Sequence, residues 1–186
     1  DVVRVVSAGT LIDDAMLDET KNNYIACLFK AGESIAAAWT DITTGEFSVA
    51  EFSGVSALED TITQIVKLSV AEVICNEEML LASKDVKEIR HNLLPAFSCY
   101  VPWAFNVKHA EKNLLEQFQT LSLAAYGIAG KENAIAAAGA LVEYLRETQK
   151  HSLSNINSVK VVDHEQYMVL DSIAVRNLEL VRSNAE

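Results

Sequence analysis

The first part of the chain alternates short apolar runs with turns that contain glycine. Three runs, NNYIACLFK (22–30), SIAAAWTDIT (34–43) and EFSVAEFS (46–53), are separated by AGE and TGE. Glycine supplies the positive φ that a tight reversal needs, so this pattern predicts an antiparallel three-strand meander. The first two runs are apolar on both faces, which is typical of central strands in a sheet that is covered on both sides.

A helix and a further strand are predicted after the meander. The segment 55–70 carries apolar residues at helical spacing, and Ser56 with Glu59 three positions later matches a capping box. The residues at helical spacing are Leu58, Ile62, Ile65 and Val66. AEVICN (71–76) follows as a compact buried strand, and a strand reached through a crossover helix normally lies parallel to a neighbour. We therefore predict a mixed β-β-β-α-β sheet, to which SCYVP (98–102) is a candidate addition.

From Pro102 onward the apolar positions follow helical spacing. One stripe comprises Val107, Ala110, Leu114, Phe118 and Leu121, and a second comprises Ile135, Ala138, Val142 and Leu145. Alanines surround Gly139 in the second stripe, which predicts a slim helix that packs closely against a neighbour. A later candidate strand is SVKVVD (158–163). The sequence thus predicts two domains, an α/β mixed-sheet domain over residues 1–103 and an all-α helical module over residues 104–186.

Composition narrows the range of functions. The chain has 186 residues, of which 50% are hydrophobic, and a formal net charge of -11. That charge repels phosphate backbones, so binding of nucleic acid by this chain alone is disfavoured. No apolar run approaches the roughly 20 residues of a membrane helix, and the start lacks the order of a signal peptide. We therefore expect a cytoplasmic protein without a membrane partner, and the start at Asp1 suggests an excised piece of a longer chain.

The residues that bind metals or form disulfides are dispersed. Three cysteines, Cys27, Cys75 and Cys99, all lie in apolar stretches, which predicts buried small hydrophobic side chains. The four histidines have no partner at the spacing of metal ligands. They are His91, His109, His151 and His164. No metal site is predicted.

The nearest match to a phosphate-binding P-loop is AYGIAGKEN (125–133). Gly130 and Lys131 are in place, but Ala125 stands where the first glycine is required and Glu132 where the metal-binding hydroxyl is required. An ATP site is therefore not predicted within this chain.

Asp41, at the end of the second predicted strand, has two interpretations. A three-strand meander, helix and strand also begins ribonuclease-H-like enzymes, in which an aspartate holds metal ions for phosphodiester hydrolysis. Asp41 also precedes the TTG turn, where an aspartate commonly accepts hydrogen bonds from backbone amides. The residues favour support of the turn and leave a metal-dependent nuclease open as the alternative.

Five blocks of the chain carry a specific resemblance to a known family. They are RVVSAGTLIDDAML, NNYIACLF, DITTGEFSVAEF, AIAAAGALVEYLRETQ and YMVLDSIAVRNLEL. In this order and at these intervals they resemble the MutS family of DNA mismatch-repair proteins. The resemblance implies a ribonuclease-H-like connector domain without nuclease activity, followed by the start of the helical core, or lever, domain.

The resemblance also assigns roles to residues. It implies a chain without catalytic, metal-binding or cofactor-binding residues, because ATP and Mg²⁺ belong to the ATPase domain of intact relatives, which are DNA-dependent ATPases. The residues expected to act structurally or between domains are Thr43, Gly45 and Glu46 in the connector, with Asp171, Arg176, Asn177 and Glu179 in the core helix.

The partners that the resemblance implies are a second protein and, indirectly, DNA. A MutL-type protein is expected to dock on the connector, within residues 1–100. Mismatched duplex DNA is expected to be bound only by the intact parent, itself a homodimer. One further alternative is a MutS paralogue with a role outside mismatch repair.

Overall fold

The computed structural model of the protein describes residues 23–90, 95–149 and 153–163. The strands in these ranges are β1 (Tyr24–Ala31), β2 (Ser34–Asp41), β3 (Glu46–Ser53), β4 (Glu72–Cys75), β5 (Phe97–Cys99) and β6 (Lys160–Val161). The α-helices are α1 (Ala57–Lys67), α2 (Glu77–Arg90), α3 (Val107–Phe118) and α4 (Glu132–Thr148). Two 3-10 helices, Pro102–Phe105 and Ala124–Tyr126, precede α3 and α4.

All six strands form one mixed sheet, in the order β5-β4-β1-β2-β3-β6. The meander is confirmed, because β2 pairs antiparallel with both β1 and β3. β4 lies parallel to β1, as the crossover through α1 predicts. The two candidate strands also belong to the sheet, where β5 lies parallel to β4 and β6 lies parallel to β3.

Both faces of the sheet are covered by helices. Successive residues of a strand point to opposite faces, so Ile25 and Cys27 of β1 join one core cluster, whereas Ala26 and Leu28 join the other. The first cluster includes residues of α3 and α4, and the second includes residues of α1 and α2. This arrangement explains why β1 and β2 are apolar on both faces.

The predicted division between residues 103 and 104 passes through the first of these cores. That core contains Ala104 and Phe105, and it runs without a break from the strands to α3 and α4. The change of pattern at Pro102 marks a switch from strands to helices, and those helices provide the second cover that the sheet requires. Residues 164–186, the remainder of the predicted helical module, lie outside the described residues.

The crossing of α3 and α4 is as close as the alanine-rich sequence predicts. A Cβ placed on Gly139 would overlap Cα, Cβ and the carbonyl oxygen of Ala110. The four residues of the predicted stripe on α4, Ile135, Ala138, Val142 and Leu145, are all buried. Small side chains therefore let the two helices approach almost to backbone contact.

The N-terminus of α4 is capped from a distant strand. Lys131 at the N-cap provides no side-chain hydrogen bond to the helix. The Oε1 of Glu51, on β3, instead accepts a hydrogen bond from the backbone N–H of Ala134 at 3.2 Å. A carboxylate at this end also opposes the positive pole of the helix dipole. This contact fixes α4 to the outer part of the sheet.

Two predicted details at the ends of helices are wrong. The hydroxyl of Ser56 donates to Oδ2 of Asp60 at 2.9 Å and makes no capping bond to α1, so the capping box with Glu59 does not form. Leu121 is fully exposed and lies beyond the end of α3, because Gln119 adopts the left-handed conformation that terminates the helix.

The prediction for the cysteines holds for two of the three. Cys27 and Cys75 are buried, but Cys99 is exposed on β5, a short strand at the edge of the sheet. Burial, with a smaller contribution from nearby Cys75, raises the pKa of the Cys27 thiol well above its usual value. Cys27 is therefore a core side chain with little nucleophilic character.

Candidate functional site at the β2–β3 turn and the aromatic cleft

Asp41 holds the turn between β2 and β3 in place. The residue is 1% exposed, and its Oδ1 accepts a hydrogen bond from the backbone N–H of Thr43 at 2.9 Å. Its backbone carbonyl accepts a second bond from the N–H of Gly45, also at 2.9 Å. The carboxylate of Asp41 is thus engaged by its own turn, as expected for a structural aspartate.

Glu46 connects the end of the same turn to the first strand. Its Oε2 accepts a hydrogen bond from the hydroxyl of Tyr24 at 2.6 Å. Its backbone carbonyl accepts another from the hydroxyl of Thr40 at 2.7 Å. Thr43, by contrast, contributes its backbone amide, and its side chain is exposed. These bonds make the turn a rigid corner of the sheet.

Gly45 provides the closest contact between the turn and a distant part of the chain. Its φ is +79°, and an added Cβ would overlap the carbonyl oxygen of Asn155 and lie 3.0 Å from its carbonyl carbon. The Nδ2 of Asn155 donates to the carbonyl oxygen of Ile42 at 2.6 Å. The absence of a side chain at residue 45 therefore allows residue 155 to lie directly against the turn.

We refer to residues 153–163 as the strap. Ile156 and Val159 are its buried side chains, and β6 at its far end pairs with Ser48 and Val49 of β3. The Nε2 of Gln117, on α3, donates to the carbonyl oxygens of Leu153 and Ile156, both at 2.9 Å. The strap is thus held at the β2–β3 turn, at α3 and at the edge of the sheet.

The sequence-predicted residues of the connector therefore lie together at one corner. No sequence signal marks Asn155 and Gln117, because both are ordinary polar residues whose role depends on contacts with distant parts of the chain. The predicted residues Asp171, Arg176, Asn177 and Glu179 lie outside the described residues.

The described ranges contain neither a cluster of metal-ligating side chains nor a membrane-spanning helix. No three or more His, Cys, Asp or Glu side chains gather there as potential metal ligands. No helix in those ranges is both long and apolar enough to cross a membrane.

A second feature is a cleft lined by aromatic residues at the start of α3, which we call the aromatic cleft. Its lining comprises Phe29, Pro102, Trp103, Phe105, Asn106 and His109. Trp103 is 52% exposed although it is large and apolar. Val101, 37% exposed, adjoins it in the chain. Exposed apolar surface of this kind is typical of a site of protein contact.

The aromatic cleft rests on a well-packed base. The rings of Phe29 and Phe105 stack with their centroids 5.4 Å apart. The ring of Trp103 meets that of His109 edge-on at 5.1 Å, and Nε2 of His109 lies 3.0 Å from Oε2 of Glu143 on α4. The exposed tryptophan is therefore supported by neighbours on two helices.

Comparison with known proteins identifies the family. The family model described as MutS domain II matches residues 23–157. The chain belongs to the MutS family. The match begins one residue before β1 and ends within the strap, so it includes β1 to β5 and all four α-helices but not β6. It also spans the predicted boundary at 103/104. The six-stranded mixed sheet agrees with the ribonuclease-H-like connector fold that the sequence predicted.

Several MutS relatives match nearly the whole chain. The DNA mismatch repair protein MutS of Alkaliphilus oremlandii is 36% identical over 98% of this chain, and that of Pelotomaculum thermopropionicum is 37% identical over 98%. The protein of the same name from Lachnoclostridium phytofermentans is 33% identical over 100%. The chain spans about a fifth of each relative, between 20% and 21% of its length.

Proposed function

We propose that this chain is the non-catalytic connector domain, with the start of the core domain, of a MutS-type mismatch-repair protein. The family match and the fold support this proposal. The engagement of Asp41 by its own turn also supports it, because a metal-dependent nuclease would need that carboxylate as a ligand. The intact parent would act in the cytoplasm as a homodimer that binds mismatched DNA and hydrolyses ATP with parts absent from this sequence.

In that parent the connector would transmit conformational changes between the ATP site and the DNA site. Such coupling requires structural elements that move as units between two arrangements. A sheet covered by helices on both faces has the rigidity this role requires. In the closed arrangement that the structure shows, Asn155 attaches the strap, the last described segment of the chain, to the β2–β3 turn of that rigid body.

We further propose that the aromatic cleft is the docking surface for a MutL-type partner. The observation that carries this proposal is the half-exposed Trp103 on a packed aromatic base. Tryptophan is strongly enriched among the residues that dominate binding energy at protein interfaces. The net charge of -11 suits a partner with a basic surface. Of the six lining residues, Phe29 lies in the expected range 1–100, and the other five lie outside it, between residues 102 and 109.

Replacing Trp103 by alanine is expected to weaken partner binding about 30-fold or more, as for a central interface tryptophan. The measurement is a calorimetric titration of the wild-type chain and the variant with a MutL-type protein. Circular dichroism of the variant should match the wild type, because the side chain of Trp103 is half-exposed.

Leu121→Ala provides the matched control for this titration. Leu121 is also a large apolar residue and is fully exposed, but it lies in the loop between α3 and α4. Its removal should leave the affinity unchanged. Equal affinity of the Trp103→Ala chain and the wild type would place the docking surface elsewhere.

A further inference from the structure

We propose that the strap is a latch, which opens from the sheet as a unit while the sheet and its four helices remain folded. Opening would release β6 from β3 and separate the strap from α3 and from the β2–β3 turn. The significance of this motion for coupling rests on the proposed function of the connector. The opening itself is a property of this chain alone.

The burial pattern of the strap supports independent opening. Two of its eleven residues are buried, Ile156 and Val159, whereas six are exposed. Its strand pairing is limited to the two residues of β6. Segments with few buried apolar contacts open at lower free energy than the core to which they are attached.

Polar contacts with the backbone hold the strap closed. The amide of Gln117 donates to two strap carbonyls, and Asn155 donates to the carbonyl of Ile42 in the β2–β3 turn. Hydrogen bonds of this kind exchange readily for bonds to water, so each contributes modestly to the closed state. The strap also adds Ile156 and Val159 to the first core cluster, so its opening would expose these two side chains as well.

Gln117 is the residue whose contacts best distinguish a latch from a fixed part of the core. It lies on α3 and bonds to the strap at Leu153 and Ile156, before β6 begins. The N–H of Val162 donates to the carbonyl of Val49 at 2.8 Å. If the strap opens as a unit, loss of the Gln117 bonds must also accelerate hydrogen exchange of the Val162 amide. If the strap is instead a fixed part of the sheet, the exchange rate of the Val162 amide will stay unchanged.

The test is hydrogen exchange of the full chain carrying Gln117→Glu. This isosteric change replaces the donor group with an acceptor that faces two carbonyl oxygens. The amides of Ile156 and Val162 are expected to exchange about tenfold faster, because two donated bonds are lost together. The amides of β1 and β2 should exchange at the wild-type rate.

Gln119→Glu is the control, because it introduces the same charge two residues later on an exposed side chain. It should leave exchange in the strap unchanged. Asn155→Asp, which removes the donor to Ile42, provides a second route to the open state if Gln117→Glu does not fold.

Two results would overturn the proposal. One is an unchanged rate at Val162 when Ile156 is accelerated, which would mean that the strap does not open as a unit. The other is equal acceleration in β1 and β2, which would mean that the whole fold is destabilised. Because no partner is present in this experiment, its outcome is independent of whether the docking proposal succeeds.

Discussion

Gly45→Ala is expected to destabilise the chain by about 3 kcal/mol, the sum of about 1–2 kcal/mol for a left-handed backbone and a similar cost for overpacking. Gly45 has φ of +79°, and its added Cβ would overlap the carbonyl oxygen of Asn155. That oxygen belongs to the backbone, so the strap must move away as a whole. Urea denaturation followed by circular dichroism would measure the loss.

Gly54→Ala separates the cost of the left-handed backbone from the cost of the overlap with Asn155. Gly54 has a similar φ of +86°, but nothing lies within 4 Å of an added Cβ. This control should therefore cost only about 1–2 kcal/mol, the backbone term alone. Equal destabilisation by the two variants would show that the contact between Gly45 and Asn155 contributes nothing to stability.

Gly139→Ala is expected to lower the free energy of unfolding by about 2 kcal/mol, although alanine favours a helix over glycine by up to about 1 kcal/mol. The added Cβ would overlap three atoms of Ala110, of which two belong to the backbone. No change of rotamer relieves that overlap, so α3 and α4 must separate and lose contacts along their length. For a chain of this size, the loss corresponds to a fall in Tm of about 4–8 °C.

Glu111→Ala on the exposed side of α3 is the control for introducing alanine on a helix. It should change the stability by no more than about 0.5 kcal/mol, as is usual for a surface position. A Gly139→Ala chain as stable as the wild type would contradict the close crossing of the two helices.

The meander could be predicted because its signals are local. Gly32 and Gly45 mark the two reversals, and both have positive φ in the structure. The apolar residues on both faces of β1 and β2 likewise predicted cover on both faces of the sheet. Short-range pattern was therefore sufficient for the meander and for the role of Asp41 in its turn, but not for the positions of β5 and β6 in the sheet.

The division of the chain was harder to predict because it depends on which helices cover the sheet. The pattern after Pro102 correctly predicts helices, but periodicity does not reveal that α4 packs across β1 and β2. The apolar faces of those two strands required a second cover, and the alanine-rich α4 was the available candidate. Combining the apolar second faces of β1 and β2 with the alanine-rich pattern of α4 would have extended the first domain beyond residue 103.

The strap contacts could not be predicted from a single sequence. Asn155 bonds to a carbonyl 113 positions earlier, and Gln117 bonds to one 36 positions later. Neither residue stands out from its polar neighbours by type or spacing. Trp103 was likewise not singled out, because its exposure depends on how the start of α3 sits against β1.

A binding titration of this chain with a MutL-type protein, alongside mismatched duplex DNA at near-physiological salt, tests its role as a docking connector most directly. We expect saturable binding to the protein and no measurable binding to the duplex, because the net charge of -11 repels phosphate. Binding to the duplex without binding to the protein would contradict the assignment of this chain as a docking connector.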